Sequence, residues 1–218
     1  KDFVFASYIP EPRGNEIGVV DTTTEPINAM VFGGEDANGN KLSDHWVWTQ
    51  AVGANAPAWQ QIICDGTCPA ARSGSAYMAM NSANFHMFGG QLADGSFSDE
   101  IWSYNEGSWQ LMCGGNSGCS GAPGVRDAGL TAGVTSSGEM GFYVMGGTGA
   151  NGPSDALWLL SMNPATESWQ WSQECGTGTD CSGPGSRANA MLLGYGEGGV
   201  FLFGGETGGE VSDQIWAY

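Results

Sequence analysis

An apolar run that ends in Gly-Gly occurs four times along the 218 residues: MVFGG from Met30 to Gly34, HMFGG from His86 to Gly90, YVMGG from Tyr143 to Gly147, and FLFGG from Phe201 to Gly205. The second glycines are 56, 57 and 58 residues apart, and each pair is followed by Ser-Asp and then a Trp, in SDHW, SDEIW, SDALW and SDQIW. Trp46, Trp102, Trp158 and Trp216 stand 12, 12, 11 and 11 residues beyond Gly34, Gly90, Gly147 and Gly205. A register held this closely means one supersecondary unit used four times, and such a unit buries its apolar surface by stacking on its neighbours.

Further features keep the same register. A second Trp follows in three units, at Trp59, Trp109 and Trp169, and then a Pro with an Arg close behind: Pro69 with Arg72, Pro123 with Arg126, Pro184 with Arg187. The fourth instance is Pro12 with Arg13, so four of the six basic residues occupy one repeat position. The second unit shows the local pattern. Strands are expected near Ser75 to Met80, Asn84 to Phe88, Ile101 to Tyr104 and Ser108 to Met112, separated by the turn sequences Asn81-Ser82, Asp94-Gly95 and Glu106-Gly107. Gly-Gly at the end of the second strand permits conformations closed to other residues and close approach of a neighbouring sheet. The two tryptophans are large enough to fill a wedge between sheets. The Asp-to-Trp spacing is two in the first unit and three in the others, which sets Asp44 apart from Asp99, Asp155 and Asp213.

Pro, Arg, an apolar strand, Gly-Gly, an Asp-x-Trp strand and a terminal Trp in this order resemble the kelch-repeat family, and the resemblance runs over nearly the whole chain. It implies an all-β propeller, here of four blades of four antiparallel strands, at about residues 14–63, 73–112, 127–173, and 188–218 plus 1–8. The fourth unit ends after its third strand, while Asp2 to Tyr8 precede Pro12-Arg13 in the position of a fourth strand. The N-terminal strand is therefore expected to complete the last sheet and close the ring, removing an exposed edge.

Six cysteines fall into close pairs, Cys64 with Cys68, Cys113 with Cys119 and Cys175 with Cys181, each flanking a Gly-rich turn at one repeat position. Zinc would need two such pairs converging on one ion, whereas these are spread around a ring, so local disulfides are favoured. Disulfides in turn point to a secreted protein or to an organelle or periplasmic lumen. No Asn-x-Ser/Thr sequence occurs despite abundant Ser and Thr, which shifts the expectation away from a eukaryotic cell surface. The chain begins at Lys1 with no signal segment and contains no run of 18 apolar residues, so a processed product without a transmembrane segment is expected.

Acidic residues outnumber basic ones 23 to 6, for a formal net charge of -17. That field repels phosphate backbones and anionic headgroups, excluding nucleic acid and acidic membranes as expected partners, and favours cations, basic protein patches or neutral glycans. In a propeller, the loops between outer and inner strands and those between second and third strands share one face, and both are the variable parts of this sequence. Candidate binding residues on that face are Arg13, Arg72, Arg126 and Arg187 near the inner mouth, with Glu35, Asp36, Asp94 and Glu206 in the loops. The arginines read either as a cationic ring for a carboxylate or as fasteners between blades. Asp36 to Asp44, DANGNKLSD, alternates oxygen-bearing residues but lacks the distal bidentate Glu of a helical calcium loop. No catalytic motif is evident: His45 and His86 lie in no HExxH frame, and no Gly-x-Ser-x-Gly elbow, phosphate loop or dinucleotide fingerprint occurs. The expected function is a non-catalytic protein-binding scaffold or assembly subunit, with no metal and no cofactor. The alternatives are a glycan-binding module and a propeller enzyme with a carboxylate site in its central cleft.

Overall fold

The computed structural model describes residues 9–23, 25–50, 56–64, 66–117, 119, 121–135, 138–181, 183–196 and 198–218. All regular elements among them are strands, gathered mainly into four antiparallel meanders in chain order. The first sheet holds Ile17–Asp21, Asn28–Phe32, His45–Thr49 and Ala58–Ile62. The second holds Ala76–Asn81, Asn84–Phe88, Ile101–Asn105 and Ser108–Cys113, within one residue of each boundary expected from the turn sequences. The third holds Gly129–Val134, Met140–Met145, Leu157–Asn163 and Ser168–Cys175. In the fourth, Gly199–Thr207 lies between Ala188–Tyr195 and Ile215–Ala217, with Glu210–Val211 paired to its end. The strand expected at Asp2 to Tyr8 lies outside the described residues.

Period-two alternation places apolar side chains on both faces of the middle sheets, and the core is accordingly a series of slabs between sheets. Ile17, Val19, Met30 and Phe32 of the first sheet meet Phe85, Met87, Trp102 and Tyr104 of the second, with Trp109 packed among them. Phe88 and Ile101 leave the other face of the second sheet toward Leu130, Phe142, Val144 and Leu160. Tyr143, Met145, Leu157 and Leu159 then meet Leu192, Val200 and Leu202 of the fourth. The innermost strands of successive sheets lie side by side, as blades about an axis do, but among the described residues the fourth sheet does not pack against the first.

The Gly-Gly turns are the joints of this row. The N–H of Gly34 donates to Arg72 O at 2.9 Å, that of Gly90 to Val125 O at 2.8 Å, and that of Gly147 to Arg187 O at 2.8 Å, so each turn receives backbone from the next repeat. At Gly89, with φ of +73°, an added Cβ would stand 2.2 Å from Val125 O, so both conformation and space require glycine there.

Candidate binding face

Three of the four repeat arginines are fasteners. Arg13 donates to Gly33 O at 3.0 Å, Arg72 to Gly89 O at 3.0 Å and Arg187 to Gly204 O at 2.9 Å, each holding the carbonyl of its own Gly-Gly turn. Arg13 also forms a bidentate pair with Asp44 at 2.5 and 2.8 Å, and Arg72, only 1% exposed, reaches Glu100 at 2.6 Å and Ser98 at 3.0 Å. Arg187 adds the carbonyls of Pro184 and Gly185. The acid in turn accepts from a tryptophan two residues on: Trp46 Nε1 to Asp44 at 2.5 Å and Trp102 Nε1 to Glu100 at 2.9 Å, while Trp216 uses Gln214 at 3.2 Å. Burial works to raise the carboxyls of Asp44 and Glu100, but hydrogen bonds and charge from Arg13 and Arg72 outweigh it, so both titrate below the ordinary range.

Arg126 stands apart. The backbone oxygen that meets Gly90 belongs to Val125, so Val125 occupies the place of Arg72 and Arg187, and Arg126 pairs instead with its neighbour Asp127 at 3.1 Å. Asp44, Glu100, Ala156 and Gln214 are the equivalent residues, each two before its Trp. Asp99 and Asp155 do something different: they cap the disulfide loops, accepting from Gly115 N at 3.1 Å and from Thr177 N and Oγ1 at 3.0 and 2.6 Å.

Three disulfides are present, Cys64–Cys68, Cys113–Cys119 and Cys175–Cys181. Each follows an outer strand and precedes the segment that leads to the next inner strand. Asp36 and Asp94 close their own turns, Asp36 through Asn38 and Asn40 and Asp94 through Ser96, and these bonds hold both carboxyls below the ordinary range. Among the described residues, no group of three His, Cys, Asp or Glu side chains has the arrangement of a metal site.

Glu35 and Glu206 belong to a different neighbourhood. Asn15, Gly74, Asp127 and Asn189, each two residues after Arg13, Arg72, Val125 and Arg187, all adopt positive φ, between 55° and 67°. Their backbones hand a hydrogen bond from repeat to repeat, Gly74 N to Asn15 O, Asp127 N to Gly74 O and Asn189 N to Asp127 O, at 2.9, 2.7 and 2.8 Å. These four residues rim a depression of about 500 Å³ along the innermost strands. Glu35 accepts from Asn15 Nδ2 at 3.0 Å and from Lys41, and Glu206 from Asn189 Nδ2 at 3.3 Å. Burial raises the Asp127 carboxyl above its usual range, Arg126 pulls it back, and the charges of Glu206 and Glu35 push it up again, so the three carboxylates share one field. The sequence marked Glu35 and Glu206 but not Asp127, Asn15 or Asn189. Their signal is positional: the residue two beyond the repeat arginine is Asn, Gly or Asn wherever that arginine is in register.

Comparison with known proteins agrees with this architecture. The chain resembles the kelch-type protein of the solved "Structure of YjhT", covering 95% of this chain and 62% of that one at 19% identity, with a TM-score of 0.57. A chain in the cryo-EM structure of RAG in complex with one melted and one unmelted RSS matches over 96% of this chain and 67% of that one, at 14% identity and a TM-score of 0.53. Among curated proteins, 135 residues are 31% identical to human multiple epidermal growth factor-like domains protein 8, and 95 residues are 27% identical to the tRNA wybutosine-synthesizing protein 4 of Aspergillus fumigatus. These matches cover 60% and 43% of this chain but only 4% and 9% of the relatives. The model of the KLHDC2/KLHL20/DRC7 Kelch-repeats domain matches residues 19–218. With that match over most of its length, and with Gly-Gly joints and interleaved sheets to go with it, the chain belongs to the kelch-repeat family.

Proposed function

We propose that the protein is a non-catalytic binding scaffold of an oxidising compartment, and that it takes a basic segment of a protein partner at the axial depression and the disulfide-stiffened loops around it. The observation that carries this reading is the separation of charge. The guanidiniums of Arg13, Arg72 and Arg187 are spent on carbonyls and acids of their own repeats, while Asp127 on the rim of the depression, paired with Arg126, lies in the field of Glu35, paired with Lys41, and of Glu206, which has no such cation, so acid outnumbers base there. Among the described residues an anion meets no free ring of arginines, whereas a Lys or Arg side chain finds Asp127, raised first by burial and further by the charges of Glu206 and Glu35. Short disulfide loops, capped by Asp99 and Asp155, lower the entropic cost of holding a partner. Three disulfides favour the oxidising compartment. The synthetic activity named for the tRNA wybutosine-synthesizing relative does not carry over from a match to 9% of its length.

The test is fluorescence anisotropy with Lys/Arg-rich, neutral and acidic peptides, beside a glycan array. Saturable binding of the basic set is expected, weakening about tenfold between low and physiological salt and again in Asp127→Asn/Glu206→Gln. Binding of acidic peptides, or of glycans alone, would overturn the proposal.

A further inference from the structure

The three disulfides are not equivalent. Cys113 and Cys175 end the outer strands of their sheets, paired across to Ile101 and Leu157, and are 0% and 4% exposed. Cys113 lies in the core between the second and third sheets, where Cys119 also packs, and Cys175 with Cys181 in the core between the third and fourth. Their loops are built alike, with a sequence separation of 6 in each. Gly114 N and Gly176 N donate to Cys119 O and Cys181 O at 2.8 and 3.4 Å, and Asp99 and Asp155 cap the turns. Gly114 and Gly176, at φ of +92° and +114°, press so closely on those acids that an added Cβ would stand 2.4 and 2.8 Å from Asp99 O and Asp155 O.

The first loop departs from that design at each point. Cys64 stands two residues beyond the end of its outer strand and is exposed, Cys68 is half-buried, and among the described residues no core slab includes either. The sequence separation is 4, and CDGTC has Asp65 where the other loops have Gly114 and Gly176. Ser43, just before Asp44 as Asp99 is before Glu100 and Asp155 before Ala156, has no carboxylate with which to cap the turn. A disulfide opens when a thiolate attacks one sulfur in line with the S–S bond and expels the other, so the rate follows access to the first sulfur and solvation of the second. Attack at Cys119 or Cys181 would expel Cys113 or Cys175 as an anion inside the apolar core, at high cost. Attack at Cys64 comes from solvent and expels Cys68 where water reaches it. We propose that Cys64–Cys68 is a thiol–disulfide exchange site that takes the thiolate of a cysteine-bearing partner. The partner's sulfur bonds to Cys64 Sγ, the bond between Cys64 and Cys68 breaks, and its electron pair leaves on Cys68 Sγ, which takes a proton from water or returns to expel the partner; the exchange consumes no oxidant or reductant. Buried Pro69 and the clamp of Arg72 on Gly89 O and Glu100 hold the chain just beyond, so the opening is confined to the loop while the other two bonds go on stapling the core.

The test treats the 218-residue chain with cysteamine, a small cationic thiol suited to a formal net charge of -17, then quenches in acid, alkylates free thiols and maps the products by peptide mass spectrometry. A cysteamine adduct on Cys64, with Cys68 alkylated, is expected to form about tenfold or more faster than any adduct in the other two loops, while far-UV circular dichroism is unchanged. Cys64→Ser/Cys68→Ser should abolish that adduct and unfold as cooperatively as the parent, whereas Cys113→Ser/Cys119→Ser should melt well below it. Equal rates at the three pairs, or a first adduct at another cysteine, overturns the proposal. Loss of sheet structure as Cys64–Cys68 opens, or a Cys64→Ser/Cys68→Ser chain that fails to fold, overturns it too, because the bond would then be a staple like the others.

Discussion

The second and third repeats solve the same packing problem with different chemistry. In the second, Arg72 bridges Gly89 O, Ser98 and Glu100, and Glu100 receives Trp102 Nε1. In the third, the same three places hold Val125, Ala156 and Trp158, and Trp158 Nε1 is buried without a hydrogen-bond partner among the described residues. Arginine and acid are absent together, while the tryptophan remains because its ring fills the wedge between sheets. A buried acid without its arginine would be an uncompensated charge, whereas the guanidinium can be held by carbonyls alone, as Arg187 is in the fourth repeat with Gln214 in the acid's place, so in this chain the acid is never found without the arginine. The repeat arginine, where it stands in register, is thus a fastener in this chain, and the third repeat fills the same place with apolar side chains.

Removing half of it should be far worse. Arg72→Met strands Glu100 and the Gly89 carbonyl in a half-buried site, an expected loss of about 3–5 kcal/mol, whereas Val125→Ala in the third repeat trims only apolar surface at about 1–2 kcal/mol. By thermal unfolding the first variant should melt roughly 10 °C lower than the parent. Equal losses for the two substitutions would refute the assignment of Arg72 as a structural clamp.

A second difference between interfaces responds to pH. His45, 3% exposed, stands between the first two sheets where Ile101 and Leu157 stand in the next two, ringed by Phe32, Phe85, Tyr104 and Trp109, with neither nitrogen hydrogen-bonded among the described residues. Burial lowers its pKa to about 4 from 6.5, with Asp44 pulling weakly the other way. Between those values the unfolded chain binds the proton and the folded one resists it, so stability falls as pH drops from about 6.5 toward about 4, by about 3 kcal/mol across the window. His86, also lowered by burial, adds in the same direction. Asp44 and Glu100, held low by their arginines, lose their share only at more acid pH. Urea midpoints of His45→Ile should vary much less over this window than those of the parent, and an unchanged slope would remove His45 as the cause.

The contrast between repeats also marks how far the sequence could be read. Gly-Gly, Ser-Asp and Trp are dictated by backbone and wedge geometry, so their period gave the sheets and, in the second unit, strand ends within a residue. The cysteine pairs were legible because each spans a single turn. Asp44 was correctly separated from Asp99, Asp155 and Asp213 by spacing alone, since one residue turns a carboxylate from the tryptophan to the disulfide loop. Arg126 misled because Pro123 keeps the Pro-to-Arg spacing while the segment before the strand is one residue shorter, which slides Val125 into the clamp. Asp127 was silent because its role depends on a left-handed backbone and on carboxylates from other repeats, neither visible in local pattern.

The smallest expected effect returns to the orphaned indole. The fourth repeat satisfies its tryptophan with an amide, Trp216 Nε1 to Gln214 at 3.2 Å, and needs no acid to do so. Ala156→Gln should therefore give Trp158 Nε1 an acceptor without importing a charge, a gain of about 1 kcal/mol in urea unfolding. Ala156→Glu, which supplies an acceptor but finds Val125 where the second repeat has arginine, should gain nothing or lose. If glutamine and glutamate behaved alike, the tryptophan bond alone would set the energetics of this position, and the coupling of arginine to acid would have no bearing on a repeat that holds neither.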